Sequence, residues 1–155
     1  MDSAPPPVPM ADPLTQPFWD GTGEHRLLIQ RCTACGTYIH LPRPVCRNCL
    51  SFDLDYAEVS GRGTLYSFTI THKVFHPYFA DQAPYVLATI ELDEQSGLMF
   101  LANIVDIDHS EVRIGMELHV GFEPLGPDHT IPVFRAKTAG VNASSNPGST
   151  AEVPT

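Results

Sequence analysis

The sequence lacks any run of apolar side chains that approaches the roughly 18 residues of a membrane-spanning helix. It also lacks the basic and apolar segments of a secretory signal, because its first residues read MDSAPPPVPMADP. We therefore expect a cytoplasmic protein with no membrane partner. In that reducing compartment, paired CxxC elements more often hold a metal ion than form disulfides.

Basic residues are scarce: 9 Lys and Arg stand against 18 Asp and Glu, which gives a formal net charge of −9. A protein that neutralises nucleic-acid phosphates needs a basic face, and this overall charge repels a polyanion. Four arginines nevertheless surround the cysteines, namely Arg26, Arg31, Arg43 and Arg47. They fit either a solvated surface with weak ion pairs or a local site for an anionic ligand or acidic partner. Arg43 and Arg47 are therefore candidate contact residues.

A catalytic set is also missing. The turn at residues 61–63, Gly-Arg-Gly, lacks the helix that would follow a phosphate-binding loop. A Ser/His/Asp trio can be drawn in almost any chain of this length, so the scattered histidines carry no weight without geometry. We expect His40 at the surface and His72 partly buried at a strand end. The sequence predicts no catalytic residue and a chain that is not catalytic alone.

The four cysteines form two CxxC knuckles, Cys32 with Cys35 and Cys46 with Cys49, separated by ten residues. That spacing allows a short hairpin to bring both knuckles to one ion, with four thiolates at about 2.3 Å in a tetrahedron. Four thiolates leave no open position for water, so the pattern predicts one structural zinc ion in a zinc ribbon. A redox CxxC would need a βαβ context, and iron–sulfur clusters use other spacings.

Aromatic side chains mark two further candidate contact regions. Phe18 and Trp19 lie in a short predicted helical segment, where they either fill the protein's own core or anchor a partner subunit. The segment 73–85 is long for a hairpin loop and carries Phe75, Tyr78 and Phe79. These rings can line an apolar ligand channel, stack on bases or seal the barrel.

From residue 52 onward the pattern is that of β-strands. Apolar and polar residues alternate over 63–75, with Tyr66, Phe68 and Ile70 predicted on one face. Several further strands follow with little helix, which is typical of a small antiparallel barrel of the OB type. The predicted organisation is a disordered arm (1–13), a helical segment (14–26), a rubredoxin-like zinc ribbon (27–51), an OB-fold barrel (52–137) and a disordered tail (138–155).

The chain resembles one known family in the stretches FWDG, RCTACG, LPRPVCRNC, VSGRGTLYSFTITH, PYVLATIELDE, IGMELHVGF and PVFRA. This is the acyl-CoA-associated zinc-ribbon plus OB-fold family, also called domain of unknown function 35. The resemblance runs from about Phe18 to Ala136 with matching order and spacing. Only the four cysteines are carried over from the family as site residues.

The resemblance implies an accessory subunit that pairs with a thiolase-like enzyme, such as a sterol-carrier-type thiolase acting as a retro-aldolase in steroid or lipid side-chain degradation. It also implies that the barrel helps to bind acyl-CoA. Other members pair with MaoC-like enoyl-CoA hydratases or with acyltransferases, and that alternative stays open. A single-strand nucleic-acid binder and an enzyme acting alone remain two further hypotheses.

Overall fold

Residues 4–137 are described by a computed structural model, in which one short helix is followed by eight strands. The helix α1 spans Gln16–Gly23. The strands are β1 (Leu28–Cys32), β2 (Tyr38–Ile39), β3 (Leu54–Glu58), β4 (Arg62–Thr71), β5 (Tyr85–Leu92), β6 (Met99–Ile104), β7 (Glu117–Pro124) and β8 (Thr130–Ala136). The mainly β fold with a short N-terminal helix is confirmed. The predicted tail 138–155 and the first three residues of the predicted arm lie outside the described residues.

The chain before α1 is fixed by reciprocal hydrogen bonds. The Thr15 amide donates to Asp12 Oδ1 at 2.7 Å, and the Asp12 amide donates to Thr15 Oγ1 at 3.0 Å. The Thr15 amide and the Thr15 hydroxyl both donate to the Asp12 carboxylate, and these two bonds lower the pKa of Asp12. Residues 4–11 form neither helix nor strand, and disorder in the arm stays a prediction.

A three-stranded sheet in the order β2-β1-β3 forms the ribbon. Gln30 on β1 is buried. Its side-chain amide forms two hydrogen bonds with the backbone of Arg43, in the loop before the second knuckle. Its Oε1 accepts from the Arg43 amide at 2.8 Å, and its Nε2 donates to the Arg43 carbonyl at 2.9 Å. A buried amide with both partners satisfied stabilises a single arrangement of this loop.

The remaining five strands close a barrel in the order β4-β5-β6-β8-β7, with β7 pairing back to β4. This confirms the predicted OB-type barrel. All pairings are antiparallel except that of β6 with β8, which is parallel and registers Ile104 opposite Phe134. Closure thus joins strands that are distant in sequence.

A β-bulge changes the predicted faces of β4. Leu65 pairs with Ile90 and Ser67 pairs with Thr89, so Tyr66 is the extra residue. Leu65 is fully buried in the barrel, whereas Tyr66 is 58% exposed. The prediction that Tyr66 shares the buried face with Phe68 and Ile70 is therefore wrong, because the bulge shifts the alternation by one residue.

One hydrophobic core joins the barrel to the N-terminal region. Barrel side chains such as Ile90, Phe100 and Phe134 pack in one cluster with Phe18 and Ile29. A second small cluster lies around the cysteines of the ribbon. Within residues 4–137, no helix has the length and apolar character required to cross a membrane.

Candidate metal centre and apolar groove

The ligand atoms of the two knuckles converge on one point. All four Sγ atoms lie within 4.8 Å of one another, with Cys32 Sγ 3.6 Å from Cys49 Sγ and Cys35 Sγ 3.7 Å from Cys46 Sγ. Ligands at about 2.3 Å from a tetrahedral ion are about 3.8 Å apart, so the sulfur positions fit a metal site with four cysteine ligands. The cysteines are free thiols in the structure.

The two knuckles have matching backbones. The Gly36 amide donates to the Cys32 carbonyl at 2.8 Å, and the Leu50 amide donates to the Cys46 carbonyl at 3.0 Å. Each bond closes a turn that directs both thiols of its knuckle toward the same side. Gly36 has a φ of 77°, as expected for the position after the second cysteine of a knuckle.

Hydrogen bonds prepare Cys35 for metal binding. The Thr37 hydroxyl lies 3.2 Å from its Sγ, and Asn48 Nδ2 lies 3.7 Å from the same atom. These bonds, that from Thr37 first, lower the pKa of Cys35 to about 5. Because the thiolate is the form that binds metal, these bonds favour the ligand state of Cys35.

A glutamine side chain connects the ribbon to the barrel. Gln95, in the turn between β5 and β6, accepts from the Tyr38 amide at 2.9 Å and donates to the Tyr38 carbonyl at 3.2 Å. Its amide group thereby pairs with the free edge of β2 as a neighbouring strand would. This contact links the edge of the ribbon sheet to the barrel.

An apolar groove of about 340 Å³ opens between α1, the end of the ribbon hairpin and the barrel strands β5, β6 and β8. Its walls are largely carbon, and its polar groups include His40 and Asn103. The lining residues are Phe18, Trp19, His40, Leu41, Leu87, Phe100, Leu101, Ala102, Asn103, Ile131, Pro132 and Val133. Leu41 and Leu101 remain 71% and 61% exposed at the rim.

His40 contributes to the wall of this groove. Its ring stacks on Phe100 with centroids 4.7 Å apart and lies 6.1 Å from the Phe18 ring. Burial lowers the pKa of His40 to about 4, so the imidazole is neutral near pH 7. The expectation that His40 is a surface residue is wrong, because the ribbon hairpin places it against the barrel. The prediction for His72 is also wrong, since that side chain is exposed.

The seven candidate contact residues lie in three separate places. Phe18 is buried, and Trp19 is half-buried beside it in the groove. Arg43 and Arg47 are exposed on the ribbon. The remaining three lie on the loop after β4: Phe75, Tyr78 and Phe79.

The loop residues differ in exposure. Phe75 is 74% exposed, with Lys73 Nζ 5.3 Å from its ring centroid. Tyr78 and Phe79 pack edge to face and line a second cavity of about 290 Å³. This cavity shares Asn103, Ile131 and Val133 with the apolar groove, so the loop and the groove are adjoining candidate ligand regions.

The other acidic and histidine residues do not form a second metal cluster within residues 4–137. Asp106 accepts a hydrogen bond from Arg135, and Asp108 accepts from the Ser110 amide at 2.8 Å. His109 begins the 3-10 turn that Asp108 caps. Asp106 and Asp108 are exposed in this turn.

Two family models match adjacent parts of the chain. The ChsH2 rubredoxin-like zinc ribbon domain matches residues 19–55, and the ChsH2 C-terminal OB-fold domain matches residues 56–123. The chain belongs to the ChsH2-type DUF35 family. The zinc ribbon and barrel described above are the two domains of this family.

Curated relatives of this DUF35 chain are of two kinds. It is 41% identical over 119 residues to a probable enoyl-CoA hydratase alpha subunit of Thermomonospora curvata, covering 76% of the chain and 36% of the relative. It is 33% identical over 121 residues to a DUF35 domain-containing scaffold protein of Methanocaldococcus jannaschii, covering 77% of the chain and 84% of that protein. The chain therefore spans about a third of the hydratase subunit and most of the scaffold protein.

Solved structures show the same architecture. A chain of an Ltp2-ChsH2(DUF35) aldolase superposes with a TM-score of 0.76 at 36% identity, covering 83% of this chain and 98% of that one. A DUF35 protein of Sulfolobus solfataricus gives a TM-score of 0.55 at 16% identity, covering 82% of this chain and 87% of that one. The second match shows the fold alone.

Proposed function

We propose that this protein is a non-catalytic accessory subunit of an acyl-CoA-processing hetero-oligomer. Its partner in this proposal is a thiolase-like subunit of the sterol-carrier or retro-aldolase type, in steroid or lipid side-chain degradation. The observation that carries the proposal is the match to the Ltp2-ChsH2(DUF35) aldolase, which covers 98% of that chain. The sequence shows no recognisable pairing of a nucleophile with a general base, which agrees with chemistry carried by the partner.

The metal centre has a structural role in this proposal, and its ion is zinc. Four cysteine thiolates supply a closed coordination sphere, which is the arrangement of structural rather than catalytic zinc. The Sγ distances of 3.6 and 3.7 Å fit such an ion. Zinc would hold the two knuckles together and thereby fix the ribbon hairpin that carries His40 to the groove.

The apolar groove is the proposed site for the acyl part of an acyl-CoA. Its volume of about 340 Å³ suits a small apolar group. The neutral imidazole of His40 and the amide of Asn103 supply uncharged hydrogen-bonding groups at the wall. Such a lining favours an uncharged acyl or ring system, and it leaves the charged part of the coenzyme outside.

A second candidate function is a subunit of a MaoC-like enoyl-CoA hydratase complex. Two relatives favour it: the Thermomonospora protein and the 3-oxo-4,17-pregnadiene-20-carboxyl-CoA hydratase alpha subunit of Mycobacterium tuberculosis, 36% identical over 105 residues. This chain covers 36% and 32% of them. An acyltransferase partner is supported by the sequence resemblance alone. Single-strand nucleic-acid binding is disfavoured by the net charge of −9.

Co-expression with a thiolase-like subunit tests the proposal. We expect a stable complex of fixed stoichiometry in size-exclusion chromatography with light scattering, and acyl-CoA aldol cleavage or thiolysis only when both chains are present. Co-expression with a MaoC-like hydratase subunit is the matched control. A complex with the hydratase alone would favour the second candidate. Turnover of acyl-CoA by this chain without any partner would contradict an accessory role.

A further inference from the structure

The second zinc knuckle contains a strained residue that does not pack within the chain. Leu50 has a φ of 62°, the left-handed region that side chains with a Cβ rarely adopt. Gly36 holds the equivalent position of the first knuckle with a φ of 77°. The matching amide-to-carbonyl bonds show that the turn itself requires this conformation, so glycine would serve here at lower cost.

The Leu50 side chain does not offset its strain by packing in its own core, because it is 72% exposed. Phe52, two residues further along, is 78% exposed and is among the largest apolar side chains on the surface. Strained residues that persist in a structure often mark functional positions. Two exposed apolar side chains only two residues apart form an apolar surface that a partner can cover.

The charges around these residues indicate which kind of partner covers them. None of the ion pairs within residues 4–137 involves Arg43 or Arg47, although the chain as a whole carries a net charge of −9. Arg47 belongs to the same knuckle as Leu50. These two arginines therefore offer unpaired positive charge that complements carboxylates on another surface.

Two other occupants fit less well. A second copy of this chain on a two-fold axis would place the same patch against itself and bring the Arg47 side chains of both copies together. A nucleic acid would meet the carboxylates of Asp53 and Asp55, which adjoin Phe52 and repel phosphates. A protein surface can pair with both signs of charge.

We propose that Leu50 and Phe52 are the anchor by which the zinc ribbon docks on its partner subunit. Their socket on that subunit is apolar, and its rim carries carboxylates that pair with Arg43 and Arg47. This inference rests on the proposed function, because the partner it names is the thiolase-like subunit. It assigns the second knuckle, rather than the metal itself, to partner recognition.

The substitution Leu50→Gly separates docking from folding. Glycine removes the apolar anchor and also relieves the left-handed strain. We expect the isolated zinc-loaded chain to melt at the same or a higher temperature, while its Kd for the thiolase-like subunit rises at least tenfold. Phe52→Ser should weaken binding by a similar factor. Ile114→Ser is the matched control, since Ile114 is an exposed apolar residue on the barrel, and it should leave the Kd unchanged.

Isothermal titration of the wild-type chain and the three variants against the purified thiolase-like subunit decides the matter. Wild-type binding that Leu50→Gly and Phe52→Ser leave intact overturns this inference alone, and the accessory function stands. A wild-type chain that binds no thiolase-like subunit overturns both. A lower melting temperature for Leu50→Gly would show that Leu50 packs within the chain and would also overturn it. The inference would also be overturned if the wild type formed a homodimer, or bound a single-stranded oligonucleotide, and if Leu50→Gly and Phe52→Ser abolished that association.

Discussion

Acidification should destabilise this protein through His40. The ring is packed against Phe100, and burial lowers its pKa from 6.5 to about 4. Between these two values the unfolded chain binds a proton that the folded chain does not. The free energy of unfolding therefore rises with pH in this window. The contribution of His40 is lost as the pH falls from about 6.5 to about 4, and this group causes no further loss below that.

The size of the effect follows from the gap between the two pKa values. At about 1.4 kcal/mol for each pKa unit, the difference between 6.5 and about 4 corresponds to about 3 kcal/mol below pH 4. At pH 5 the same expression gives about 2 kcal/mol. That is a large part of the roughly 5–15 kcal/mol by which domains are stable.

Urea unfolding at pH 7, 6 and 5 measures this effect when the wild type is compared with His40→Gln. Release of metal at low pH affects both proteins, so the informative quantity is the difference in free energy of unfolding between them. That difference should fall by about 2 kcal/mol between pH 7 and pH 5, to the disadvantage of the wild type. His72→Gln is the matched control, because that imidazole is exposed. A difference for His40→Gln that stays constant with pH would refute the reasoning.

Three further predictions concern the supports of the fold. Gly97→Ala should lower the free energy of unfolding by about 1 kcal/mol, through its positive φ alone. Gly61→Ala should lower it by at least twice as much, because the new Cβ would also overlap Val120. Equal melting temperatures for the two variants would contradict this. Gln95→Ala should lower the free energy of unfolding in urea by about 1–2 kcal/mol, because it removes two hydrogen bonds to β2. Gln82→Ala is the control, and an equal loss in both variants would disprove the contact. Zinc chelation should abolish the protection of backbone amides from hydrogen exchange in the ribbon sheet and leave it intact in the barrel. Full protection of the ribbon sheet after verified metal removal would argue against a structural ion.

Sequence reasoning predicted the parts of this fold that local pattern determines. The spacing of the cysteines predicted a site at which all four Sγ atoms converge, because two short turns suffice to bring the thiols together. Alternation of apolar residues predicted the barrel strands. Each signal lies within a few residues of chain, although the barrel that the alternation predicts closes through strands that are distant in sequence.

The features that sequence reasoning missed depend on tertiary contacts. The bulge at Tyr66 leaves no mark in a pattern of period two, so Tyr66 was assigned to the wrong face. His40 is half-buried because the ribbon hairpin that carries it packs against Phe100 on β6, which is sixty residues further along the chain and leaves no signal near residue 40. Gln95 resembled an ordinary turn residue until its 2.9 Å bond to the β2 edge was seen.

The walls of the groove come from both ends of the part of the chain that the structure describes, and this has a consequence for synthesis. Phe18 and Trp19 lie near the start of the chain, whereas Ile131 and Val133 belong to its last strand. The groove therefore cannot be complete on the ribosome until β8 has emerged and closed the barrel beside β6. Until then the helix aromatics lack part of their final packing surface.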